Sequence, residues 1–232
     1  MTPYWLRRVA TLGPGDPHGV NPILDRRPPR GIDVRPAAVL VLFGGSPVPD
    51  PLARGGLPAD ADVLLTQRAP TLRQHSGQVA FPGGAADPDD DGPIRTALRE
   101  AQEETGLEPS GVRPLAVLPE IFIPPSGFDV TPVVAYWEQP SPIGVVDPGE
   151  AARVVRVPLR DLLDPDNRFQ VRHSRGYQGP AFQVDGMLVW GFTAGVLAGL
   201  FAVSGWEIEW DHRDVRDFDV VLAELEAGVV EP

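Results

Sequence analysis

Three glutamates, Glu100, Glu103 and Glu104, stand at i, i+3 and i+4 in a stretch that reads as a short helix. Pro93 suits its first position and Gly106 its exit, where a left-handed residue is often needed. At 100° per residue the three acids share a sector about 100° wide, and Ile94, Ala97, Leu98, Ala101 and Thr105 fall on the other side. Like charges at this spacing repel and weaken a helix unless something positive sits among them. A hard divalent cation meets that need, because Mg²⁺ takes oxygen ligands and is shared between carboxylates and substrate phosphates. Gly83 and Gly84, just upstream, would let backbone approach such a ligand closely. Three acids alone also describe a solvated helix face.

The surrounding residues favour the first reading. Arg99, Glu100, Ala101, Glu103, Glu104, Gly106 and Leu107 fill the second half of a pattern that resembles the Nudix box, G-x5-E-x7-R-E-U-x-E-E-x-G-U, where U is bulky and apolar. Ala101 is small for its U position. Counting back from Arg99 puts Asp91 at the acidic position and Ala85 at the glycine, so the loop after Gly84 reads as one residue longer. Upstream, LLTQRAPTLRQHSGQVAFPGG (64–84) is similar to L-L-T-x-R-[SA]-x3-R-x3-G-x3-F-P-G-G, a motif of the coenzyme A pyrophosphatase branch of that superfamily, with every fixed position filled.

The resemblance implies an α/β/α sandwich with a mixed central sheet and metal-assisted hydrolysis of a diphosphate, with Mg²⁺ or Mn²⁺ as cofactor. Its substrate would be coenzyme A or an acyl derivative, cut to 3′,5′-ADP and 4′-phosphopantetheine. Another diphosphate, such as ADP-ribose or NADH, is the nearest alternative, and a binding module without catalysis a more distant one. Glu100, Glu103 and Glu104 become metal ligands, helped by a backbone carbonyl near Gly83 or Gly84. Arg99 orients a glutamate. Arg68 and Arg73 are candidates for the substrate phosphates. Phe81, Gly83 and Gly84 complete the substrate-binding set, with Phe81 chiefly a packing residue at the entry to the Gly-Gly turn. The box shows no general base; Glu150, ahead of a predicted strand, is the first candidate for base or fourth ligand, and Glu120 the second. His75 reads as an ordinary loop histidine. Phe128 and Trp190 could meet adenine or pantetheine, although aromatics are more often core.

Composition narrows the partners. Net charge is −12 with a pI near 4.7, which argues against nucleic acid and anionic membranes and leaves a small-molecule substrate. A homodimer is neither required nor excluded. All 20 basic residues other than histidine are arginines. With no cysteine there is no disulfide, thiolate site or thiol nucleophile, and the amino-terminal residues lack a signal-peptide core, so a cytoplasmic location is expected. The nearly uncharged run 187–203 falls short of the ~20 residues of a membrane span and contains three glycines; it reads as a strand followed by a buried helix.

The elements that must position these residues follow in order. Residues 1–34, rich in Pro, Gly and Arg, are expected as an extended arm, and 35–232 as one domain. Strands are expected at 36–43, 62–67, 113–123, 130–138 and 151–158, and a helical turn at 159–163. Two short runs between 181 and 190 flank Asp185-Gly186, a two-residue hairpin signal. Helices are expected at 191–201 and 219–227.

Overall fold

Apolar side chains on both faces place the strand β1 (Arg35–Gly44) at the centre of the larger sheet. The structure is a computed structural model that describes residues 1–12, 25–69, 77–124, 126–174 and 176–228. A helical turn at Tyr4–Leu6 runs into the short helix α1 (Arg7–Ala10), and β1 follows. Then come β2 (Asp62–Arg68), β3 (Val79–Ala80), β4 (Gly83–Ala85) and the helix α2 (Pro93–Thr105). Strands β5 (Val112–Val117), β6 (Ile121–Ile123), β7 (Phe128–Trp137) and β8 (Ala151–Pro158) complete the larger sheet, and α3 (Leu159–Leu163) leaves it. A second sheet holds β9 (Arg168–His173), β10 (Tyr177–Val184), β11 (Met187–Val189) and, beyond the helix α4 (Gly191–Ser204), β12 (Val215–Asp217); α5 (Phe218–Gly228) closes the chain.

The larger sheet is mixed. β1 runs parallel to β7 and antiparallel to β2 and β4. It pairs with β2 only at Phe43–Val63 and Gly44–Asp62. Towards its start, its edge is taken by β4, while β3 takes the corresponding edge of β2. The strands therefore splay, and the glycines of β4 and the end of β2 lie at the open side.

Alternation along β1 and β7 divides the core. Ala38, Leu40, Leu42, Val133, Ala135 and Trp137 face α2, whereas Val41, Phe43, Val134 and Tyr136 face α4 and the second sheet. The result is a mixed α/β sandwich, as the sequence implies. α2 lies close to β1 through Ala97 and Ala101, both fully buried, which gives the small Ala101 a steric reason. The buried face is rolled from the expected one: Thr96, Ala97, Ala101 and Thr105 are buried, Leu98 is partly buried, and Ile94 is exposed.

Several other expectations change. Residues 113–123 form two strands, because the chain leaves the ladder at Leu118, Pro119 and Glu120. The hairpin at Asp185-Gly186 is present, with Val184 opposite Met187 and both turn residues at positive φ. Strands β3, β4, β9 and β12 are additional to the expected ones; three of the four are too short to show a period. The run 187–203 is β11 followed by the buried α4, and among the described residues no helix is long and apolar enough to cross a membrane. The start of the chain is no extended arm. Trp5, Leu6 and Val9 are buried in the larger core cluster, and Trp5 packs within 6.4 Å of the Phe43, Tyr136 and Trp206 rings while donating to the Ser46 carbonyl at 3.0 Å.

Trp5→Ala is therefore expected to lower stability by about 3–5 kcal/mol in denaturant unfolding, the cost of emptying a large buried site. An unchanged midpoint would show that residues 1–12 are dispensable to the core.

Candidate active site

Helical rows explain which glutamates come near the backbone. Thr96, Glu100 and Glu104 form one i, i+4 row beside the buried row of Ala97, Ala101 and Thr105. Glu100 and Glu104 are consequently half-buried along β4, while Glu103, one row further out, points its side chain largely into solvent. A Cβ placed on Gly84 would lie 2.5 Å from Glu100 Oε2, and one on Gly83 would lie 2.4 Å from the Ala38 carbonyl oxygen. Glycine at both positions lets β4 pass between β1 and the carboxylates. The Gly83 N–H donates to Glu104 Oε2 at 3.3 Å.

Arg99 ties helix, loop and strand together. It donates to Glu100 Oε1 at 2.9 Å, Glu103 Oε2 at 3.1 Å, Asp90 Oδ2 at 2.9 Å and the Ala85 carbonyl at 2.9 Å. Its guanidinium holds the enclosed Asp90 carboxyl well below the usual carboxylate range, and Asp90 in turn raises Arg99. The acid of the loop is thus Asp90; Asp91 is exposed. Counting forward from Gly84 finds it, since Asp90 stands six residues on, and the extra residue falls between this acid and the helix. Counting back from Arg99 hid it.

Burial raises the Glu100 and Glu104 carboxyls; Glu104 is pushed up to about 7, with the Gly83 N–H and Arg68 opposing and Glu100 and Glu150 adding to the rise. Among the described residues, no three histidine or acidic side chains already converge as a metal site: Arg99 engages Glu100 and Glu103, and Glu104 turns to Gly83. The expected three-glutamate cluster is therefore not assembled. What is present still fits a hard cation, with two half-buried carboxylates, no soft ligand, and a glycine strand leaving room at Glu100.

Beside Glu104, a cleft is lined by Thr66, Arg68, Asp147, Glu150 and Ala151. Arg68, at the end of β2, has a buried Nε with no hydrogen-bond partner among the described residues. Glu150 reaches the cleft because its carbonyl accepts the Ala69 N–H at 2.9 Å just ahead of β8. The structure thus brings together Arg68, Glu104 and Glu150, which the sequence separates by up to 82 residues. Other candidates lie elsewhere. Phe81 is buried in the core, Glu120 is exposed, Phe128 carries Arg35 over its ring at 4.0 Å, and Trp190 packs with His173, Tyr177 and Phe218. Arg73 and His75 lie outside the described residues. Thr66 is a fixed position of the 64–84 motif and Asp147-Pro148-Gly149 reads as a turn, but neither pattern says that these residues line the cleft.

Asp90→Asn should lower the denaturant midpoint and weaken Mn²⁺ binding about 10–100-fold, the usual effect of losing a group that orients metal ligands. Asp91→Asn should do neither. Equal effects at the two positions, read by unfolding and calorimetry, would refute the Asp90–Arg99 tether.

Comparison with known proteins agrees with this geometry. The NUDIX domain model matches residues 49–177. A protein of Cronobacter sakazakii described as the uncharacterized Nudix hydrolase NudL is 39% identical over 172 residues, covering 73% of this chain and 82% of its own. Proteins with the same description from Klebsiella pneumoniae (37% identical, 73% of this chain and 82% of theirs) and Shigella flexneri serotype 5b (36%, 78% and 87%) are also similar. With the box helix, its arginine tether and its glycine strand in place, the chain belongs to the Nudix hydrolase family.

Proposed function

We propose that this Nudix hydrolase cleaves the diphosphate of coenzyme A or an acyl-coenzyme A, with Mg²⁺ or Mn²⁺, to 3′,5′-ADP and (acyl-)4′-phosphopantetheine. The observation that carries the reading is Arg68. It ends the LLTQR strand of the 64–84 motif and lines the cleft beside Glu104 and Glu150, with its Nε unpaired among the described residues. An arginine so placed can take phosphate oxygens through paired N–H groups.

Glu100 and Glu104 would hold the cation with a backbone oxygen of the Gly83–Gly84 strand, and Glu103 would join them by releasing Arg99. When bound, the cation neutralises charge on the diphosphate oxygens and eases ionisation of water. The remaining work falls to the chain. Arg68, with Arg73, holds phosphate. Glu150 takes the proton from the attacking water as its oxygen bonds to one phosphorus and the bridging P–O bond breaks. Arg99 keeps Glu100 in place through Asp90 and the Ala85 carbonyl.

Mass spectrometry of products from coenzyme A, ADP-ribose and NADH, each with and without Mg²⁺, tests the substrate. Coenzyme A should yield 3′,5′-ADP and 4′-phosphopantetheine only with metal, and faster than the others react. Preference for ADP-ribose or NADH would move the chain to another substrate branch, and no product from any would leave a binding module. Arg68→Gln should cost about tenfold to a hundredfold in kcat/KM, the ~1.5–3 kcal/mol of one charge-assisted contact. An unchanged kcat/KM would remove Arg68 from the site.

A further inference from the structure

The segment carrying Glu150 is held from both ends. At its start, the Gly144 N–H donates to the Thr105 carbonyl at the end of α2 at 3.0 Å, and Ser141 Oγ accepts the Glu108 N–H at 3.0 Å. Ile143 packs into the cluster beneath α2. At its far end the β2–β8 ladder steps irregularly. Gln67 pairs with Arg153 but Arg68 pairs with Ala151, so β8 advances two residues for one of β2 and Ala152 is left over. Such a bulge re-aims the residues beyond it. Here it sets Ala151 opposite Arg68, so that a small side chain lines the cleft.

Between these anchors the chain turns on one side chain. Asp147 Oδ1 accepts the Gly149 N–H at 2.7 Å, and the Asp147 carbonyl accepts the N–H groups of Glu150 and Ala151, both at 3.0 Å. Asp147 itself lines the cleft with Glu150. Neither residue is buried, so packing does not fix the position of Glu150; these hydrogen bonds do, together with the Ala69 N–H that donates to the Glu150 carbonyl.

We propose that Asp147 is a positioning residue whose side-chain oxygen fixes the turn that holds Glu150 towards Glu104 and Arg68. The turn needs an acceptor at Oδ1 and not a negative charge. This inference rests on the assignment of Glu150 as base in the proposed function, whichever diphosphate proves to be the substrate.

The test is a double-mutant cycle on the diphosphate that the wild-type protein cuts fastest, with amide hydrogen exchange at 149–151. Asp147→Ala should lower kcat about tenfold or more with little change in KM, and should speed exchange at Gly149, Glu150 and Ala151. Asp147→Asn, which keeps an oxygen acceptor, should stay near wild type in both. In a Glu150→Gln background, Asp147→Ala should add almost nothing, because the two act as a unit. Three results would overturn the proposal: equal losses in Asn and Ala, which would make the charge the active feature; a full Asp147→Ala loss persisting with Glu150→Gln; or full activity in Glu150→Gln. None of these bears on which substrate is cut, and a wild-type protein inactive on every diphosphate would instead fail the proposed function while the exchange still reports the turn.

Discussion

The site depends on the narrow gap between β4 and the row of α2 that carries Glu100 and Glu104. Two glycines allow β4 to lie against β1, and any side chain on Gly84 would occupy the place of the Glu100 carboxylate. Two fully buried alanines, Ala97 and Ala101, bring the helix down onto β1 from the same side. Backbone and carboxylates are thus forced together by small residues on both elements. Because Glu100 and Glu104 are withdrawn from water there, their carboxyls titrate high, and a bound cation offers the charge balance that burial removes.

Arg99 answers the other half of that electrostatic problem. Three acids within one helical turn repel, and a guanidinium among them, itself paired with Asp90, neutralises the outer side of the cluster. Arg68 and the Gly83 N–H act on the inner side at Glu104. The split between the two sides follows from helix phase: Glu103 lies on the same row as Arg99, and Glu104 lies one row nearer the sheet. Equal spacing in sequence becomes unequal surroundings in space.

Much of this was legible beforehand. The helix, its Pro93 start and Gly106 exit, the strands around it, the Asp185-Gly186 hairpin and the buried α4 all follow from periodicity and turn residues. The misses share a physical cause. β3 and β4, of two and three residues, owe their existence to the splay of β1 from β2, which no local pattern records. Trp5, Leu6 and Val9 sit in a stretch too short to show a period, yet find a place in a core built by distant strands. Phase places Ile94 inward, but phase alone cannot say how far a helix rolls when alanines set its distance. Asp147-Pro148-Gly149 reads locally as a turn, but nothing local records that it sets a carboxylate from beyond β7 beside the box helix.

Gly84→Ala tests the central claim most directly, with Mn²⁺ binding followed by calorimetry and folding by denaturant midpoint. The added methyl would stand 2.5–2.7 Å from the Glu100 carboxyl group, the movable end of a flexible side chain, so the fold should survive while Glu100 is displaced. The expected result is a nearly unchanged midpoint with Mn²⁺ affinity weakened about tenfold or more, comparable to disturbing the surroundings of a metal ligand. A folded Gly84→Ala protein that binds Mn²⁺ as tightly as wild type would contradict the account.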